Sequence, residues 1–220
     1  MNAVVNAAGT WIWNNRTHGE LKWTTIETEH FNIHYHQNLD QIALQGASIA
    51  EQIRPTLMKQ MGLESLPTLD IIFTAEDEVL NGFAVPANYT IIWVDQNDAA
   101  LWTGDEKWLK TVLAHELQHL VYFNTVKGPW WLPEPMNSLV HGTPAWIVEG
   151  IAEYFTEEWR PFRYELSHRY HVLRNTVHKI QDPHNDGYSK SLYFADRFGD
   201  STISKILNHR NKLKFLDFKE

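Results

Sequence analysis

The amino-acid sequence predicts an α+β fold in which a small mixed β-sheet with one covering helix precedes a helical half. Three observations carry that expectation. Short β-branched apolar runs cluster before residue 98, and long stretches with helical spacing follow residue 103. Hydrophobic residues make up 43% of the 220 and charged residues 21%, the balance of a folded chain able to bury a sizeable core. The length favours one compact unit over 1–220, sheet-rich over about 23–98 and helical over about 103–220.

In the first half, "FNIHYH" (31–36) alternates Phe31, Ile33 and Tyr35 with polar residues, the period of a strand with one buried face. His34 and His36 then share its other face, which reads as exposed rather than as a two-histidine metal site. From Leu39 to Met61, the residues Ile42, Ile49, Ile53, Leu57 and Met61 recur at helical spacing, and Gly62 stands where a C-terminal cap belongs. "LDIIF" (69–73) and "TIIWV" (90–94) are short apolar strands. Between them, "NGFAVPANY" (81–89) contains Gly and Pro and reads as a weak strand or a turn.

In the second half, Thr103 followed by Glu106 is a capping box that opens a helix to about Phe123. Thr143, with Pro144 at the first helical position, opens a second helix to about Trp159. Gly150 inside it costs about 1 kcal/mol relative to alanine, so a close packing contact is expected there. Residues 163–180 read as a third helix, and 189–198 and 201–210 as two shorter ones.

Composition removes several function classes. A net charge of −8 without a Lys/Arg block argues against nucleic acid as a partner. No apolar run approaches the ~20 residues that span a bilayer. With no cysteine there are neither disulfides nor thiolate ligands. Ten tryptophans imply a large aromatic core or a surface for extended ligands. The start, "MNAVVNAAGTW", lacks the basic and apolar regions of a signal segment, which fits either a cytosolic protein or one whose signal has been removed.

The chemistry lies in "TVLAHELQHLVYF" (111–123), where two histidines and a glutamate interrupt an apolar run. Buried imidazole and carboxylate groups are costly without partners. His115 and His119 stand one helical turn apart on one face, which suits two nitrogens converging on a tetrahedral zinc at ~2.0–2.1 Å. Glu116 points roughly 100° away around the helix, where it reaches a metal-bound water as general base rather than the metal itself. Catalytic zinc takes three protein ligands and an open position. Glu149, flanked by Ile147, Val148 and Ile151, is a carboxylate in apolar surroundings that such an ion would neutralise. Glu153, one turn on, is placed to take the N–H of a ligand histidine. The competing view makes Glu149, Glu153 and Glu157 a solvated helix face.

"HELQH" followed by "WIVEGIAEYF" resembles the gluzincin zinc peptidases, and in particular the peptidase MA-like family, whose pattern is H-E-x-x-H and then W-x-x-E-G-x-A-x-Y. The resemblance implies a zincin-like fold with His115, His119 and Glu149 as zinc ligands and Glu116 as catalytic base. It also favours an extracytoplasmic location. "YSKS" (188–191) resembles the Tyr-x-Lys-Gly segment of the clan's aminopeptidases, with Ser191 in place of the glycine. That makes Tyr188 the candidate donor to the tetrahedral intermediate, with Tyr193 as its competitor and helix packing as the plain alternative. The aminopeptidase segment that grips a substrate amino terminus is absent, "NGFAV" standing in its place, so exopeptidase activity is not implied.

The remaining residues weigh less. His141 lacks the metzincin context, because Tyr122 and Thr125 stand where that pattern needs Gly and His. His168, His171 and His178 read as partly exposed helix residues, and Glu134 as a solvated loop residue. The expected function is therefore zinc-dependent hydrolysis of a peptide or protein substrate laid along an edge strand near 81–89, with "PWWLPEP" (129–135) either walling the cleft or packing on the body. The alternatives are a non-catalytic zinc-containing peptide-binding domain of the same fold and a purely structural zinc site.

Overall fold

The computed structural model describes residues 21–75, 81–94, 106–126, 144–159 and 162–212. Strands β1 (Trp23–Glu27), β2 (Phe31–His36), β3 (Leu69–Thr74), β4 (Asn81–Val85) and β5 (Tyr89–Trp93) form one mixed sheet in the order β1-β2-β3-β5-β4. The two central pairings, β2 with β3 and β3 with β5, are parallel, and the outer two are antiparallel. Helix α1 (Asp40–Met61) makes the crossover between β2 and β3. A helical half follows: α2 (Glu106–Thr125), α3 (Ala145–Thr156), α4 (Glu165–Leu173), a 3-10 turn at Val177–Lys179, α5 (Pro183–Phe198) and α6 (Thr202–Lys212). The architecture is the predicted α+β arrangement. Among the described residues, no helix is long and apolar enough to cross a membrane.

Alternation decides which face of the sheet is covered. Phe31, Ile33 and Tyr35 of β2 and Leu69, Ile71 and Phe73 of β3 are buried, and they meet Ala43, Ala47, Ala50, Ile53 and Leu57 of α1 in one core. Small alanines on that stripe let the helix lie close to the aromatic rings beneath it. Gly62 ends α1 at φ 69°, the left-handed conformation that glycine adopts freely, and its N–H returns to Lys59 O. Helix α2 packs against α1, β4 and β5 and is apolar on nearly every side: Leu113, Ala114, Leu117, Leu120 and Val121 are all buried. A helix so enclosed carries its polar residues into the interior as well.

Several local expectations need correction. His36 is not exposed: it is 4% accessible, its Nε2 accepts the Ala75 N–H at 3.1 Å, and the Trp23 ring packs edge-on against it. His34 does lie on that face, between Thr25 Oγ1 and the Asp70 carboxylate. Residues 81–85 form a full strand, because Pro86 falls in the turn beyond it, where no ladder N–H is needed. The predicted third helix is interrupted: α4 stops at Leu173, and Asn175 turns the chain at φ 52°. Pro144 precedes α3 rather than opening it, and α5 begins at Pro183, six residues earlier than expected. Thr103, Glu134, His141, Thr143 and the 129–135 segment lie outside the described residues.

Helices α3 and α5 touch backbone to backbone where Gly150 meets Gly187. A Cβ built on Gly187 would stand 2.1 Å from the Trp146 carbonyl oxygen and 2.5 Å from Gly150 Cα. Neither obstacle is a movable side chain, so the packing contact expected of Gly150 is obligatory for both glycines. Gly187→Ala should destabilise the protein by ~1–3 kcal/mol, the usual cost of overpacking, read as a lower urea midpoint at unchanged slope. A change below ~0.5 kcal/mol, as at ordinary surface sites, would show that the helices are free to part.

Candidate metal centre

Three helices bring the site together. Helix α2 supplies His115, Glu116 and His119, all buried, and α3 crosses it with Glu149 and Glu153. The Gly150–Gly187 contact then draws the first turn of α5 alongside, which delivers His184.

The donors converge on one carboxylate oxygen. Glu149 Oε2 lies 3.3 Å from His119 Nε2, 3.5 Å from His115 Nε2 and 3.2 Å from His184 Nε2. The two histidines of α2 approach to 3.0 Å, Nε2 to Nε2, with their rings edge to face. Ligands held at ~2.0–2.1 Å around one tetrahedral ion stand about 3.3–3.4 Å apart, and these separations scatter about that value. His115, Glu149 and His184 form a group able to hold a metal ion, and His119 adjoins it.

The surroundings fix the imidazole orientation. Glu153, whose side chain is 0% exposed, places Oε1 3.3 Å from His115 Nδ1 and Oε2 3.3 Å from Arg163 Nη1. Both contacts are at ion-pair distance but neither is aligned as a hydrogen bond. With the carboxylate near Nδ1, Nε2 is the ring nitrogen of His115 that faces Glu149. Glu116 points elsewhere: its carboxylate takes the Ala84 N–H of β4, and Gly82 leaves it room. A Cβ on Gly82 would meet Glu116 Cγ at 2.5 Å and Oε1 at 2.7 Å.

Protonation of these groups is strongly perturbed. Burial pushes His115 down to about 3, so it stays neutral near pH 7. Burial also acts to lower His119, but the charges of Glu149, Glu116 and Glu153 outweigh it and leave its pKa raised. His184 is pushed up to about 9, chiefly by its contact with Glu149. Burial acts to raise Glu149, yet the charge of His119 and hydrogen bonds from the three histidines hold it well below the usual carboxylate range. Burial takes Glu116 and Glu153 up to about 7 each, against the opposing pull of His119 and Ala84 on the former and Arg163 on the latter. The pattern is that of an anionic centre neutralised by borrowed protons, the task a divalent cation performs in such a donor set.

The structure places the other sequence-derived candidates as follows. The Tyr188 ring is buried among Tyr154, Tyr164 and His168, with centroids 6.1–6.4 Å away, and no hydrogen bond joins it to the donor group. Tyr193 is exposed. His168 pairs with Ser189 Oγ and His171 with Thr176 Oγ1, so each has a local partner. His184 is the residue that motif reasoning missed. Its signal was present in "DPHND": Asp182 as N-cap, with Pro183 at the first helical position, starts a helix and sets His184 in its first turn.

No known protein family and no curated protein matches this chain. The resemblance to the gluzincins therefore rests on two short motifs alone.

Proposed function

We propose that this chain is a zinc-dependent peptidase of zincin-like fold, acting on a peptide or protein substrate. One observation carries the reading: Glu149 meets the Nε2 atoms of His115 and His119 within 3.5 Å, while Glu116, buried on the same helix, takes its hydrogen bond from Ala84 instead. Imidazole and carboxylate donors without thiolate fit zinc, and His115, His119 and Glu149 are the residues that would hold it. When bound, zinc supplies a Lewis acid that polarises a carbonyl and acidifies water.

The protein side of the reaction follows from placement. Glu116, with a pKa raised by burial, accepts a proton from the attacking water on its carboxylate and returns it to the leaving amine nitrogen. Glu153, 3.3 Å from His115 Nδ1, is the group that would take the ring N–H once Nε2 binds a cation. Strand β4 ends the sheet, so its outer edge has no partner among the described strands and accepts an extended substrate backbone as an added strand. Ala84 belongs to that strand, which ties the base to the substrate platform through one N–H.

Gly82→Ala tests that link. The added methyl displaces Glu116 without touching the ligands, so zinc content should be unchanged while turnover falls by roughly 10² fold, the scale of a ~1 Å misplacement. Undiminished turnover would detach the base from β4. Tyr188, as donor to the oxyanion, is tested by Tyr188→Phe. The expected result is intact zinc content and fold, with kcat lower by roughly 10² to 10³ fold at little change in KM. An unchanged kcat assigns Tyr188 to aromatic packing alone.

The decisive experiment is digestion of an unfolded protein and a peptide library by the zinc-loaded chain, with cleavage sites mapped. Cleavage that stops with a chelator and returns with zinc supports the reading. Bound zinc without cleavage supports the second reading, a non-catalytic zinc-containing peptide-binding domain. One observation favours that alternative: His184 Nε2, 3.2 Å from Glu149 Oε2, adds a further protein donor beside the three expected ligands.

A further inference from the structure

We infer that His184, held by Asp182, is a fourth protein donor that closes the metal centre at rest and yields its position when substrate enters. The inference rests on the metal-site reading above and adds a means of regulating it.

The geometry singles out His184 on three counts. Its Nε2 is 3.2 Å from Glu149 Oε2, as close as either motif histidine, and its ring stacks on His115 at 6.0 Å and 24°. Its Nδ1 faces Asp182 Oδ1 at 3.2 Å, so the carboxylate fixes the tautomer that leaves Nε2 free to bind a cation. Asp182 is itself fixed, because its other oxygen caps α5 by accepting the Asn185 N–H at 3.2 Å. One side chain thus starts the helix and aims the histidine.

Exposure indicates which donor moves. The side chains of His115 and His119 are 10% and 8% exposed on a helix enclosed by core, whereas His184 is 37% exposed on a first helical turn. A rotamer change at His184 gives up the stacking on His115 and the Asp182 contact, whereas one at His115 or His119 also disrupts the enclosed core around α2. Three inner donors and one outer, releasable donor describe a zinc centre whose fourth position opens on demand. A closed resting centre also protects unintended substrates from Glu116.

The test uses the whole chain loaded with zinc or with cobalt(II) as a visible probe. Zinc affinity is measured by competition with a chromophoric chelator for the wild type, His115→Ala, His184→Ala and Asp182→Asn. Asn caps a helix as well as Asp does, so Asp182→Asn removes the carboxylate facing His184 and spares the fold. The expected results are one zinc per chain in the wild type, an affinity lower by roughly 10 to 100 fold in Asp182→Asn, and a larger loss in His184→Ala. In the cobalt(II) form, azide should leave the wild-type visible spectrum unchanged and shift that of His184→Ala, where a position is open. A wild-type spectrum that responds to azide as the variant does, or a His184→Ala affinity equal to wild type while His115→Ala loses the metal, overturns the role of His184 and leaves the metal centre standing. A wild type that binds neither metal overturns the metal centre itself.

Discussion

Replacing His115 or His119 with alanine should remove most of the bound zinc and lower the melting temperature of the zinc-saturated protein. Ligand binding to the folded state alone contributes about 4 kcal/mol when free ligand is roughly a thousandfold above Kd. For a chain of this size that corresponds to roughly 8–16 °C. Chelator should bring the wild type close to the variants, because what is lost is linkage to the metal rather than packing. Glu149→Ala should weaken binding similarly, and Glu153→Ala less, on the order of 10 to 100 fold, since Glu153 reaches the metal only through His115. Full zinc occupancy in both histidine variants would reject the assignment, and a greater loss from Glu153 than from Glu149 would reverse their roles.

Glu116→Gln separates chemistry from binding. The amide keeps the size of the carboxylate and can still accept the Ala84 N–H, but it cannot take a proton from water. Zinc content should match wild type, the melting curve should be little changed, and turnover on any cleaved peptide should fall by at least ~10² fold. A variant that remains active would remove Glu116 from the mechanism while leaving the metal ligands untouched.

Legibility in the sequence followed burial. Strand β2 and helix α1 were readable because each has one buried face, Phe31, Ile33 and Tyr35 in the one and Ile49, Ile53, Leu57 and Met61 in the other. Strand β1 gave no such signal, since in Trp23–Glu27 only Ile26 is even partly buried, and it reaches only the edge of the core. The spacing in "HELQH" pointed to one helix face, and the fold does bring those histidines to Glu149. His184 was hidden for a different reason. It lies 65 positions from His119 in the sequence, and the packing of its helix on α3, closest at Gly150 and Gly187, is encoded by no local periodicity. His36 misled because alternation assigns it to the open face, whereas Trp23 of the neighbouring strand covers it.

Anomalous diffraction at the zinc absorption edge, from crystals of the zinc-loaded chain, shows whether these helices build a zinc centre. One strong peak per chain is expected, within coordination distance of His115 Nε2, His119 Nε2 and a Glu149 carboxylate oxygen. No peak at that position, or zinc held only by residues elsewhere on the surface, would contradict it.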